Sequence, residues 1–368
     1  MEVFPTPYAD LNTVLRELVA AVRMTPLLLA LDFGGTKHSA ALLARGERQW
    51  RATQRMPAEP PRIDGVHNPE GVVPAIMETH DAQSDLAIMR GLAHALLNGE
   101  RRLCGTQEYS YPAAIGVSFG GPVDAAAGVV QLSHHVSGWE QLPLRELLQA
   151  EFGAPVSVDN DANVAALGEH RFGAGRGFES LMYITVSTGV GGGLILDGHI
   201  WHGADGMAGE IGHVVVDPAG PTCLCGKRGC VERLASGPYI AQDVRAKLRA
   251  QPERGQIVRE LAGGDVDAVT AQTVAEAAAR GEPLAREALE RAGRALGMAI
   301  GNMANLLNPQ RFILGGGVTK SGAEFWETVR RAARETALPQ VRCEIVPALL
   351  GDDAPLWGAI ALAEDLLA

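Results

Sequence analysis

The residues best suited to chemistry fall into three groups. The first is His213, Cys223, Cys225 and Cys230, spaced His-x9-Cys-x-Cys-x4-Cys and interrupted by Gly226 and Gly229. One imidazole and three thiolates are the donors a tetrahedral Zn2+ takes, and a set of four leaves no position for water, so the zinc would be structural. Unligated buried cysteines are the alternative. Three thiols between Cys223 and Cys230 favour the metal.

The second group is the glycine turns. Asp32-Phe33-Gly34-Gly35-Thr36-Lys37 and Thr188-Gly189-Val190-Gly191-Gly192-Gly193 each follow an apolar run, and Gly315-Gly316-Gly317 follows a third. Successive backbone N–H groups in such turns form an anion-binding nest, and threonine hydroxyls add donors. Asp32, at a strand end, can hold a water of Mg2+, which prefers one or two carboxylates plus substrate phosphates. Singly, each turn also reads as a plain hairpin. None is a P-loop: Gly220 and Gly226 have five residues between them, with Cys223 and Cys225 inside. Gly173 to Phe178 lacks the spacing of a dinucleotide fingerprint. The third group is Asp159-Asn160-Asp161, where a strand pattern gives way to a helical one. Any of the three could cap that helix.

Taken together, GEIGH (209–213) and CLCGKRGCVE (223–232), with DFGGTK, FGGPVD, DNDAN, STGVGGG and LGGGV in this order, resemble the ROK family (repressors, open reading frames and kinases) over roughly residues 27–368. The resemblance implies a two-lobed α/β fold of the actin-like, hexokinase type (ribonuclease H-like), with ATP, Mg2+ and a sugar in the interlobe cleft. It implies that Asp161 is the catalytic base, a role a carboxylate within reach of a sugar hydroxyl can fill. By the same resemblance Asn160, Glu210, His213 and Glu232 hydrogen-bond sugar hydroxyls and Gly121 lines the sugar pocket through its backbone. Asp32, Gly34, Gly35, Thr36, Lys37, Thr188, Gly189, Gly191, Gly315 and Gly316 would serve the nucleotide. His213 would use one ring nitrogen for zinc and turn its other side to the sugar. Glucose is the first substrate expected, then N-acetylmannosamine, then fructose; Pro122 in GGPVD leans to glucose. The family's departures here are Phe33 in place of a smaller aliphatic residue, a long 50–112 stretch, and SHHVSGW (133–139), which lacks an asparagine before Gly-Trp. His134 or His135 could stand in for it.

These groups need elements to hold them. Leu11, Val14, Leu15, Leu18, Val19 and Val22 follow a helical period, so 11–22 reads as an amphipathic helix docking on the body or on a second subunit. Strand–glycine–strand units at 28–43 and 181–196, mixed with helical stretches at 75–98 and 266–307, predict two related α/β lobes. Residues 51–74, rich in proline, read as irregular. The expected division is a small lobe over 1–135, to which a C-terminal helix at 355–368 returns, and a large lobe over 136–354 with the zinc knuckle. A homodimer is the expected assembly.

Composition bounds the partners. The 368 residues are 46% hydrophobic and 20% charged, enough apolar material for a sizeable core. A net charge of −11 without a Lys/Arg block disfavours nucleic acid and anionic membrane as partners. The run Leu27–Leu31, cut by Asp32, is too short to span a bilayer, and no signal peptide pattern opens the chain. With its five cysteines arranged for metal rather than disulfides, the chain reads as cytoplasmic. About 25 residues precede the first strand, room for one helix and not for a winged helix-turn-helix, which disfavours a DNA-binding repressor. A non-catalytic sugar sensor is the remaining alternative, against which Asp161 and both phosphate turns speak.

Overall fold

The computed structural model describes residues 25–35, 37–57, 81–104, 111–133 and 136–368. The expected helix at 11–22, Thr36, His134, His135, and residues 58–80 and 105–110 of the long 50–112 stretch lie outside the described residues. Two compact units divide the chain. The first comprises the described residues up to Asp159 together with Ala359–Ala368, and the second runs from Asn160 to Gly358.

In chain order the first unit holds β1 (Leu27–Phe33), β2 (Lys37–Ala44), β3 (Ala52–Pro57), α1 (Ala82–Cys104), β4 (Ala114–Phe119), β5 (Val123–Asp124), β6 (Val129–Val130), α2 (Leu144–Phe152) and β7 (Val156–Asn160). Its sheet has the order β3-β2-β1-β4-β7. β1 and β2 form an antiparallel hairpin, and β1 pairs parallel with β4. β1 and β4 are buried almost throughout, which is why they read as unbroken apolar runs rather than alternating ones. Leu86, Met89, Ala93 and Leu96 of α1 recur at helical spacing and join Leu29, Leu31, Ile115, Trp139 and Phe152 in one core.

The second unit holds α3 (Asp161–Phe172), β8 (Leu181–Val186), β9 (Val190–Leu196), β10 (His199–Ile200), a 3-10 turn (Ile211–His213), α4 (Val231–Ala235), α5 (Gly237–Ala250), α6 (Gln256–Leu261), α7 (Ala271–Ala279), α8 (Pro283–Leu307), β11 (Arg311–Gly315), α9 (Ala323–Thr336), β12 (Ile345–Pro347) and α10 (Ala354–Asp365), which carries the chain back to the first unit. Its sheet, β10-β9-β8-β11-β12, repeats the plan of the first: a central strand with its antiparallel hairpin partner on one side and a parallel strand on the other. Gly293, Gly297 and Gly301 recur every fourth residue on the face of α8 that meets α9, and a Cβ on Gly297 would lie 2.4 Å from the Val329 carbonyl oxygen, so glycine there lets the two helices pack close. Among the described residues no helix is long and apolar enough to cross a membrane.

Three expectations are corrected. Residues 52–57, expected to be irregular, form β3. Its side chains are mostly exposed, so an edge strand of this kind carries no apolar alternation to read. The polar turn expected between strand and helix at DNDAN is missing: β7 ends at Asn160 and α3 starts at Asp161. The first unit extends to Asp159 rather than 135, because β7 is a strand of its sheet, and the return to it falls inside α10, at Ala359.

The last turn of α3 is fixed by a residue absent from the expected site. Glu169 is fully buried, and its carboxylate accepts from the backbone N–H groups of Ala174 (2.7 Å), Leu350 (2.8 Å) and Leu349 (3.2 Å). A buried carboxylate is tolerable only with its lone pairs filled in this way. Glu169→Gln, which sets an amide N–H2 against at least one of these donors, should lower unfolding free energy by about 1–3 kcal/mol in urea titrations. Unchanged stability would show that the three bonds do not hold α3.

Candidate active site

Asp161 stands at the first position of α3. Asn160, still in extended conformation, caps the helix: its Oδ1 accepts from the N–H groups of Ala162 (3.0 Å) and Asn163 (3.4 Å). Asp161 Oδ1 accepts from Ala162 N at 2.8 Å. Burial pushes the Asp161 carboxyl up to about 6. The Ala162 N–H bond works against that rise, and the negative charge of Glu210 adds to it. An exposed acid would be ionised far below neutrality. Here the proton affinity lies close to neutral pH, the range in which a carboxylate can serve general-base catalysis.

Glu210 is brought to this helix by β9. The residues VGGG at its start offer glycine to both faces of the strand. A Cβ on Gly193 would lie 2.4 Å from the carbonyl oxygen of Ala162, and one on Gly191 would meet the Ala162 methyl at 3.4 Å. On the opposite face, a Cβ on Gly192 would lie 2.6 Å from the carbonyl oxygen of Gly209. Side chains here would push α3 off one face and the Gly209–His213 segment off the other. Gly191 was expected in the nucleotide turn; it lies instead within β9, paired with Thr185. The turn proper is Ser187–Gly189, closed by Ser187 N donating to the Gly189 carbonyl at 2.9 Å. Thr188 is exposed at its tip. Gly315 ends β11 in register with Thr185, and Gly316 follows at φ +90°, a conformation that favours glycine.

Glu232, expected among the sugar ligands, is tied to this turn. Its Oε2 accepts from Val190 N at 3.0 Å, and a Cβ on Gly189 would lie 2.8 Å from the same oxygen. Arg233 beside it is held bidentately by Asp243 (2.9 and 3.0 Å), which also pairs with Arg291.

The ligand atoms of His213, Cys223, Cys225 and Cys230 all lie within 4.8 Å of one another. Cys223 Sγ is 3.9 Å from His213 Nδ1, and Cys225 Sγ is 3.6 Å from Cys230 Sγ. A disulfide needs about 2.05 Å, whereas the edge of a tetrahedron with zinc–sulfur bonds of about 2.3 Å is about 3.8 Å. The thiols are free. The Lys227 N–H draws the Cys225 thiol down to about 7, while burial drives Cys230 up to about 12. Three adjacent thiols cannot all ionise without a cation among them, so the donor set fits Zn2+. Nδ1 faces the sulfurs, which leaves Nε2 of His213 for a second partner.

In the first unit, Asp32 is buried and its Oδ1 accepts from Ser118 Oγ at 2.9 Å, across the β1–β4 register. Gly34 and Gly35 make the turn to Lys37, the first residue of β2. A Cβ on Gly121 would lie 2.9 Å from the carbonyl oxygen of Leu132, so Gly121 backs onto the segment that leads to SHHVSGW. Behind the turn, His38 Nε2 meets Asp85 Oδ1 at 2.5 Å and Trp139 Nε1 donates to Asp85 Oδ2 at 3.2 Å, all three residues being buried.

The ROK family profile matches residues 91–366. The chain belongs to the ROK family. It is 37% identical to a glucokinase of Halalkalibacterium halodurans over 285 residues, covering 76% of this chain and 84% of the relative. It is 30% identical to a xylose repressor of Caldicellulosiruptor bescii, over 67% of this chain and 61% of the repressor. The crystal structure of a ROK family glucokinase from Streptomyces griseus in complex with glucose and AMPPNP superposes with a TM-score of 0.74 at 30% identity, covering 92% of this chain and 99% of that one. The fold of this ROK protein is therefore the actin-like sugar-kinase fold.

Sequence reasoning missed Ser118, Glu169, and the His38–Asp85–Trp139 cluster. Ser118 did leave a signal, a polar residue inside an otherwise apolar strand; Glu169 and the cluster depend on partners far apart in sequence and left none.

Two outcomes are expected of the isolated protein. First, an acid whose folded pKa is raised adds most to stability below its ordinary value, and loses that contribution as pH rises through the folded value. Asp161→Asn should therefore melt at higher temperature than the parent at pH 7–8, with the gap closing towards pH 4. A gap that is constant with pH would contradict the raised pKa. Second, metal analysis should find about one zinc per chain, and chelation should lower the melting temperature. A metal-free protein of unchanged stability would exclude the knuckle as a zinc site.

Proposed function

We propose that the chain is a cytoplasmic, ATP-dependent glucokinase that transfers the γ-phosphoryl group of ATP to the 6-hydroxyl of glucose, with Asp161 as the base. The observation that carries this reading is Asp161 itself: a carboxylate at the start of α3, desolvated to a pKa of about 6 and flanked by Glu210, in a chain 37% identical to a glucokinase. Substrate hydroxyls would be read by Glu210, Nε2 of His213, Glu232 and Asn160, with Gly121 contributing backbone. Carboxylates and amides suit a polyol because each can engage adjacent hydroxyls.

The reaction then needs little covalent chemistry from the protein. Asp161 accepts the proton of the 6-hydroxyl as the phosphoryl group arrives, and the remaining work is positioning and charge neutralisation. The turns at Gly34–Lys37, Thr188–Gly189 and Gly315–Gly316 would cradle the phosphates of MgATP through backbone N–H groups, with Asp32 on a water of the Mg2+. Bound zinc would supply rigidity only, fixing His213 against its three cysteines.

The repressor relatives raise a second reading, a sugar-responsive regulator. The raised Asp161 pKa favours the enzyme, since a sensor has no use for a base near neutrality.

Turnover decides between them. With glucose and ATP, Asp161→Asn should lower kcat by about 10²-fold or more while leaving glucose binding largely intact. The parent's kcat should fall on the acid side with a midpoint near pH 6, as Asp161 is protonated. Catalytic efficiency should favour glucose by about tenfold or more over N-acetylglucosamine, N-acetylmannosamine and fructose, because each mismatched hydroxyl leaves a buried partner unpaired. Near-normal turnover in Asp161→Asn would remove the base assignment. A tenfold preference for an N-acetyl sugar or fructose would replace the glucokinase reading with another sugar kinase.

A further inference from the structure

Val190, the residue immediately after the Ser187–Gly189 turn, is gripped on both of its peptide polar groups. Its N–H donates to Glu232 Oε2 at 3.0 Å. Its carbonyl oxygen is approached so closely by Gly212 that a Cβ there would lie 2.0 Å away. Gly212 is the residue before the metal ligand His213, and Glu232 is two residues after the metal ligand Cys230. The two jaws are cross-linked behind the turn: Val231 N donates to the Val214 carbonyl at 3.0 Å, and Cys230 Sγ approaches the His213 carbonyl at 3.7 Å. A third tie comes from the start of α5, where Gly237 N donates to the Ser187 carbonyl at 2.8 Å.

Two of the four metal donors, His213 and Cys230, adjoin the residues that hold Val190, and Cys223 and Cys225 lie in the loop between them. Backbone bonds from Val216 N to the Gly229 carbonyl (2.9 Å) and from Gly229 N to the Pro221 carbonyl (2.9 Å) close that loop, whose Leu224 is 89% exposed. A metal joining His213 to Cys223, Cys225 and Cys230 would add side-chain cross-links to these backbone ones. We infer that Glu232 is a positioning residue through which the metal knuckle clamps the nucleotide turn, so that zinc occupancy and nucleotide affinity are thermodynamically linked. This rests on the reading that the Thr188–Gly189 turn cradles phosphate. Linkage is reciprocal: if zinc tightens nucleotide binding, nucleotide must tighten zinc binding by the same factor.

The test uses the full-length zinc-loaded protein, with ADP as the nucleotide and zinc as the metal. ADP affinity is measured by calorimetry before and after zinc removal, and the rate of zinc loss to a chromophoric chelator is measured with and without saturating ADP. In the parent, zinc removal should weaken ADP about tenfold, and ADP should slow zinc loss by a similar factor, the size of coupling common between linked sites. Glu232→Ala should bind ADP weakly with or without zinc, and ADP should no longer protect its zinc. Glu232→Gln, which keeps an oxygen to accept from Val190 N, should restore both effects. The chelator measurement needs no metal-free protein, so it stands even if zinc removal unfolds the chain. ADP affinity independent of zinc, with no protection of zinc by ADP, would overturn the clamp, as would full coupling in Glu232→Ala. Thr188→Pro, which removes a backbone N–H from the turn, separates the premise: if it leaves ADP affinity unchanged, the phosphate reading of the turn fails and the clamp with it, whereas weaker ADP binding in that variant together with absent coupling in the parent removes the clamp alone.

Discussion

The second unit is organised around how closely backbone can approach β9. After Val190 it runs through Gly191, Gly192 and Gly193, which carry no side chain beyond hydrogen, so the helix that bears Asp161 presses on one face and the segment that bears Glu210 and His213 on the other. Both approaches place main-chain carbonyls where a Cβ would stand. This one constraint brings Asp161, Glu210 and His213 to one strand, with the Ser187–Gly189 turn at that strand's beginning. It also explains why glycine extends past the turn, into a strand where it would otherwise cost stability.

The proton affinity of Asp161 follows from the same crowding. A carboxylate in the first turn of a helix is favoured by the helix dipole and by free N–H groups, which would hold its pKa low. Pressing α3 against β9 strips water from that carboxylate, and the Gly209–His213 segment brings the charge of Glu210 near it. Desolvation outweighs the hydrogen bond from Ala162, and the carboxyl's pKa rises to about 6. Asn160 makes this possible by taking over the capping, its Oδ1 accepting from the first-turn N–H groups of Ala162 and Asn163. The ambiguity over which of Asp159, Asn160 and Asp161 caps the helix is thereby resolved, and Asp161 is available for chemistry.

Much of the site was legible because its parts are contiguous. The four metal donors lie in one segment, Asn160-Asp161 at one junction, and each turn in one run of glycines, so spacing alone places them. What was illegible depends on partners distant in sequence. Glu169 looks like any helix acid until Leu349 and Leu350 bring their N–H groups to it. β3 has no apolar alternation because it is an edge strand with exposed side chains. Gly193 reads as part of a glycine turn, and only the carbonyl of Ala162, far upstream, shows that a side chain there would clash. Glu232 reads as a sugar ligand, and its bond to Val190 N follows from the fold of the knuckle rather than from its own neighbours in the chain.

The two units share a hairpin plan and have spent it differently. In the first, the strand after the turn is KHSAALLA, and Ala40 and Leu42 fill the core beneath α1. In the second, the equivalent strand is VGGGLIL, in which three glycines separate the buried Val190 from Leu194. The sheet loses side-chain packing there, and α3 and the Gly209–His213 segment occupy the room. The first unit therefore has a turn backed by an Asp32–Ser118 bond, and the second has a turn tied to Glu232, with Asp161 and Glu210 packed close to the strand that follows. One hairpin plan thus supports a turn alone or a turn with carboxylates gathered beside it, according to whether the strand beyond the turn keeps its side chains.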